Sequence, residues 1–283
     1  MRHELNRSVR YEVQSLITGI AYADVPAWYG VSRKNLKMDL ICPKNRTADR
    51  KLPLIIWLCG GAYRVVDRST WLPEFVYYAR RGFVVASVEY RTANEVNYPA
   101  PLEDVKAAIR YLKAHAEVYG IDPERVAVMG ESAGATLANL TGITNGDPAY
   151  EKGDFLGVSS EVNAIVDFYG GTDLREPFDP ETSSADVPPW TFSDFFGYGA
   201  EEAMYSDASP ILHVTEHTPP TLIFYGTEDP LGSDTMNSAY CKALEDAGID
   251  TEYYVIRGAG HGDDAFYQKE LKEIVANWLL EHI

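Results

Sequence analysis

Gly130-Glu131-Ser132-Ala133-Gly134 sets one serine between two glycines, directly after an apolar run (125–129, RVAVM) and directly before a run of small and apolar residues (135–140) that suits a helix. A serine on such a strand-to-helix turn is pushed into a strained backbone, and the glycines serve where a side chain would collide with neighbouring elements. The helix start behind it favours developing negative charge. The chemistry this suits is nucleophilic attack by an activated hydroxyl. A serine hydroxyl is a poor nucleophile at neutral pH, so a neighbouring imidazole must take its proton.

Six histidines compete for that role. His3 and His282 lie near the chain ends and His115 on a helical pattern, which marks all three as surface residues. His213 and His217, in the stretch SPILHVTEHTPP, are weaker candidates. His261 stands in Gly258-Ala259-Gly260-His261-Gly262, a flexible loop after an apolar run and ahead of the last helical pattern, and is the candidate general base. Those glycines do not form a dinucleotide loop, because Asp263 occupies the position where G-x-G-x-x-G needs its last glycine. The imidazole needs a carboxylate to fix its tautomer and offset its charge. Asp229, in Gly226-Thr227-Glu228-Asp229-Pro230, gives the chain order Ser, Asp, His; Glu228 beside it and Asp173 further upstream are the other options. Backbone N–H groups must converge on the oxyanion of a tetrahedral intermediate. Ala133, after the nucleophile, supplies one, and the loop Cys59-Gly60-Gly61-Ala62-Tyr63 lies where the others belong.

The elements that would carry these residues alternate. Residues 52–59 (LPLIIWLC) and 83–88 (FVVASV) are short, apolar and glycine-bounded, as strands buried on both faces are; 71–80 between them read as a helix stopped at Gly82. Leu102, Val105, Ile109 and Leu112 fall on one helical face, with Glu103, Lys106, Arg110 and Lys113 off it. Further strands are expected at 125–129, 162–168, 221–225 and 252–256. Helices are expected at 238–247 and over the closing stretch, where Tyr267, Leu271, Ile274, Val275 and Trp278 share a face. The expectation is one α/β domain over residues 1–283: a mostly parallel central sheet with helices on both faces and function at the carboxyl ends of the strands. Residues 172–218, rich in Pro, aromatic and acidic side chains, are long for a connection and read as a cap-like insertion.

These stations together resemble the α/β-hydrolase esterases and lipases related to hormone-sensitive lipase, especially the bacterial feruloyl and acetyl esterase-like branch. The resemblance runs from about Leu36 to the end and rests on CGGAY, GESAG, GTEDP and GAGHG. It implies an α/β-hydrolase fold, Ser132, Asp229 and His261 as a triad, and Gly61 and Ala62 with Ala133 as oxyanion donors. It also implies that Tyr90-Arg91 supports the oxyanion loop. Cys59 stands where the family usually has His, so the loop would be propped differently, and an exposed thiol there would be open to alkylation or oxidation. The function implied is hydrolysis of short acyl esters without metal or organic cofactor, with acetyl or feruloyl esters of plant carbohydrates as substrates. Trp190, Phe192, Phe195, Phe196 and Tyr198 either line the substrate site or form the insertion's own core. The alternatives are a peptidase of the same fold and a ligand-binding protein that has lost catalysis.

Composition narrows the partners. Forty-two acidic against 25 basic residues give a net charge of -17, which repels phosphate backbones and anionic lipid, so a small-molecule ester is expected rather than nucleic acid or membrane. The sequence leaves a homodimer open. The first residues are charged throughout and lack the apolar core of a secretory signal, from which a cytoplasmic location is expected. Three widely spaced cysteines, Cys42, Cys59 and Cys241, suggest reduced thiols rather than a disulfide framework or zinc site.

Overall fold

The computed structural model describes residues 2–4, 8, 12–47, 49–175, 191–197 and 199–283. Its strands are β1 (Gln14–Ala27), β2 (Ser32–Pro43), β3 (Leu52–Leu58), β4 (Val84–Val88), β5 (Ile121–Glu131), β6 (Ala164–Phe168), β7 (Thr221–Gly226) and β8 (Thr251–Ile256). The helices are α1 (Leu72–Arg80), α2 (Ala100–Ala114), α3 (Ala116–Tyr119), α4 (Ala133–Ile143), α5 (Thr191–Phe196), α6 (Glu202–Asp207), α7 (Asp234–Asp246) and α8 (Lys269–His282). The strands form one sheet in the order β1-β2-β4-β3-β5-β6-β7-β8, parallel from β4 to β8 and antiparallel at β1 and β2.

Side-chain alternation explains the layers. Leu54, Ile56 and Leu58 of β3 join a core with Leu102, Val105 and Ile109 of α2 and Leu137 of α4. Ile55 and Trp57, pointing the other way, join Phe75 and Tyr78 of α1 and Val275, Trp278 and Leu279 of α8. The six expected strands and the helices between them are present. The antiparallel β1 and β2 were not expected. Their signal is the period-two run Leu36, Met38, Leu40 and Cys42, all fully buried and alternating with Lys37, Asp39 and Ile41.

Helix α2 also departs from the reading of a single buried face. Lys106 and Arg110 are fully buried as well: the Lys106 ammonium donates to Thr144 O at 2.8 Å, and Arg110 pairs with Glu151. Burial pushes the Lys106 ammonium below its usual pKa, and the Glu151 carboxylate opposes that shift. Charge marked these positions as outward, and local pairing let them turn inward.

Candidate active site

Backbone packing at the carboxyl ends of β3, β5, β7 and β8 makes the site. Ser132 directly follows β5 and caps α4 at φ 51°, ψ -125°, a left-handed conformation that side chains rarely adopt. The flanking glycines are required on steric grounds. A Cβ on Gly130 would sit 2.4 Å from Gly134 O, and one on Gly134 would sit 2.1 Å from Leu58 O. Gly134→Ala is therefore expected to destabilise the fold by about 3 kcal/mol, read as a lower urea midpoint; a wild-type midpoint would mean that the end of β3 yields instead.

Asp229 and His261 reach Ser132 from adjacent strands. A Cβ on Gly226 would meet Ala259 O at 2.3 Å, so glycine there lets the loops after β7 and β8 approach each other. His261 Nδ1 lies 2.8 Å from Asp229 Oδ2, and His261 Nε2 lies 2.8 Å from Ser132 Oγ. Asp229 Oδ1 accepts from the Leu231 N–H at 2.8 Å, and its side chain is 1% exposed against 22% for His261. A carboxylate only accepts, so Nδ1 carries the imidazole proton and the Nε2 lone pair faces the serine hydroxyl. The Tyr169 ring packs edge-on against His261, with centroids 4.9 Å apart.

The competing candidates lie elsewhere. Asp173 pairs with Arg175 and Ser209, and Glu228 is exposed. His213 meets Ser206 O, His115 stacks on Tyr111, His282 faces Trp278 O and Asp250, and His217 is exposed.

The loop after β3 passes against the serine: a Cβ on Gly60 would lie 3.0 Å from Ser132 Cβ. Gly61 (φ 134°), Ala62 (φ 52°) and Tyr63 (φ 60°) all have positive φ, and for the two non-glycine residues this costs about 1–3 kcal/mol each. Surrounding contacts hold that conformation. Gly61 O accepts from Arg64 N and Val65 N, Ala93 N donates to Tyr63 O at 2.7 Å, and Phe195 stacks on Tyr63 at 3.9 Å. Among the described residues, none accepts a hydrogen bond from the N–H of Gly61, Ala62 or Ala133. Ala133 is also the first residue of α4, where the helix leaves N–H groups free and adds a positive end.

Tyr90 donates its hydroxyl to Cys59 O at 2.6 Å, so the Tyr-Arg step does brace this loop. Arg91 forms a bidentate pair with Asp104 of α2 that fixes the end of β4. The expectation of an exposed, reactive thiol is corrected: Cys59 is 7% exposed, and burial, reinforced by the Glu131 charge, pushes its thiol up to about 12. Iodoacetamide at pH 8 is expected to leave Cys59 unlabelled in the native protein and to label it after unfolding, as mass spectrometry would read; native labelling would contradict this burial.

Phe195 and Phe196 resolve half of the question about the aromatic cluster. Both are buried in the same core as Tyr63 and Tyr98 and line no open surface. Trp190, Tyr198 and the side chain of Phe192 lie outside the described residues.

A mostly parallel sheet with a serine on a strained turn after its fifth strand, and helices on both faces, is the α/β-hydrolase fold. The chain belongs to the BD-FAE family, whose model matches residues 38–241. That span includes Ser132 and Asp229 and stops short of His261. The chain is 29% identical to esterase LipQ of Mycobacterium tuberculosis over 86% of its own length and 57% of that protein's. Among solved structures, a truncated carbohydrate esterase from gut microbiota superposes with TM-score 0.79 at 24% identity, covering 96% of both chains, which speaks to the fold. The propionate-bound thermophilic esterase Est2 of the planctomycete Thermogutta terrifontis superposes with TM-score 0.73 at 26% identity, over 92% of this chain and 94% of that one. The chain spans about half the length of the curated relatives it matches. No helix among the described residues is long and apolar enough to cross a membrane.

Proposed function

We propose that this chain is a serine esterase that hydrolyses short acyl esters of small molecules through an acyl-serine intermediate. The observation that carries the reading is the pair of 2.8 Å contacts that line up Asp229, His261 and Ser132. Ser132 Oγ attacks the ester carbonyl while His261 Nε2 takes its proton. The oxyanion is received by the N–H groups of Gly61, Ala62 and Ala133, each worth on the order of 3 kcal/mol in the transition state. His261 then protonates the leaving alkoxide, and Asp229 stabilises the imidazolium in both steps. Water, activated by the same imidazole, releases the acid and regenerates Ser132.

The short acyl group has independent support: the Thermogutta esterase is described with propionate bound. Acetyl or feruloyl esters of plant carbohydrates are the natural substrates that the family resemblance suggests. The described part of the segment 172–218 acts as a small cap on a single catalytic domain, a reading supported by Phe195 of α5 stacking on Tyr63 of the oxyanion loop; residues 176–190 and 198 of that segment lie outside the described residues.

The test is a panel of 4-nitrophenyl esters from acetyl to palmitoyl, acetylated and feruloylated oligosaccharides, and the 4-nitroanilide matching the best ester. Acetyl and butyryl esters are expected to be cleaved fastest, and the amide far more slowly. A wild type that cleaves no ester overturns the proposal, as does equal activity in Ser132→Ala.

A further inference from the structure

Glu131, the residue between Gly130 and Ser132, has no part in the chemistry above, yet the site is built around its carboxylate. It is 7% exposed and accepts from five donors. The Gly60 N–H (3.2 Å), Trp71 Nε1 (2.6 Å) and Cys59 Sγ (3.5 Å) meet Oε1; the Tyr169 hydroxyl (2.7 Å) and Tyr267 hydroxyl (2.9 Å) meet Oε2. Trp71 stacks on Tyr267 at 3.9 Å and enters α1, while Tyr267 lies just before α8. Tyr169 follows β6 and packs against the His261 ring.

We infer that Glu131 is a positioning residue that holds the oxyanion loop and the His261 wall in register with Ser132, an inference that rests on the esterase reading. Its backbone is covalently joined to the nucleophile, and its side chain fixes Gly60, the residue before the first proposed oxyanion donor. One acidic side chain thus ties the attacking atom to the groups that receive the oxyanion. Only an acceptor suits this place, because the Gly60 and Trp71 N–H groups cannot turn to accept. Losing it would leave both donors unsatisfied and free the loop to drift, and a misplacement of about 1 Å lowers turnover about 10²-fold. The loss should fall on kcat, because the oxyanion exists in the transition state and not in the bound ester.

Glutamine separates positioning from charge. Its carbonyl oxygen can keep Gly60 and Trp71, and its amide can donate to tyrosine hydroxyls, which rotate to accept. The experiment is steady-state hydrolysis of 4-nitrophenyl acetate by wild type, Glu131→Ala, Glu131→Gln and Trp71→Phe, each checked for its unfolding midpoint. Expected are a kcat about 10²-fold lower for Ala with KM within about threefold, kcat within about threefold of wild type for Gln, and about tenfold lower for Trp71→Phe. If Glu131→Ala does not fold, Trp71→Phe carries the test, since it removes one donor and leaves the carboxylate. An active wild type whose Ala or Trp71→Phe variant keeps its kcat overturns this inference alone, as does a Gln variant as impaired as Ala. A wild type that cleaves no ester overturns the esterase reading and this inference with it.

Discussion

Ser132→Ala is expected to lower kcat for 4-nitrophenyl acetate on the order of 10⁶-fold, because it removes the hydroxyl that forms the acyl bond in the proposed mechanism. What survives is the oxyanion loop with an imidazole able to activate water, an arrangement that leaves about 10³–10⁴-fold over the uncatalysed reaction. The variant should fold normally. Alanine meets the same backbone strain at φ 51° as serine does, and the contact of Oγ within the site is with His261. An unchanged unfolding midpoint alongside lost turnover therefore separates chemistry from stability. A phosphonate that reacts with activated serines should label wild type on the peptide bearing Ser132 and leave the variant unlabelled. Residual turnover above about 1% of wild type would move the nucleophile elsewhere.

The legible parts of this protein share a physical cause, and so do the illegible ones. Strands β3 to β7 read cleanly because burial on both faces left almost nothing but apolar residues, as in LPLIIWL and VVASV. Glycines 130 and 134 read cleanly because chain atoms pass where a Cβ would sit. Strand β1 is a largely exposed sheet edge and β2 beside it opens on exposed residues, so a stretch such as SRKNLKMD looks polar until it is counted two residues at a time. Pairing defeated composition at Lys106 and Arg110, whose partner Glu151 lies 41 residues from Arg110 in sequence. The same holds for Glu131, whose partners come from four separate stretches of chain. A motif shows that position 131 tolerates many residues in general; only the fold shows that here it gathers Gly60, Trp71, Tyr169 and Tyr267. Cys59 erred in the opposite direction. Nearness to a pocket suggested exposure, while the residue is buried with its thiol against the Glu131 carboxylate.

Asp229→Asn is expected to reduce kcat on the order of 10⁴-fold while changing the geometry little, through the tautomer of His261. Asn offers one oxygen and one NH₂ in place of two oxygens. The Leu231 N–H, 2.8 Å from Oδ1, can only donate, so it captures the amide oxygen and turns the NH₂ toward His261 Nδ1. Nδ1 must then accept, the imidazole proton moves to Nε2, and the nitrogen 2.8 Å from Ser132 Oγ has no lone pair to take the serine proton. Asp229→Ala imposes no such inversion and is expected to retain more activity than Asn, despite removing more atoms. That ordering, measured as kcat on 4-nitrophenyl acetate, distinguishes tautomer control from a simple loss of negative charge. Glu228→Gln gives the reference: its side chain is exposed, and its kcat should stay within about threefold of wild type. If Glu228→Gln fell as far as Asp229→Asn, the orienting carboxylate would have been misassigned between these neighbours; if Asn matched or exceeded Ala, the Leu231 N–H would not be what sets the amide.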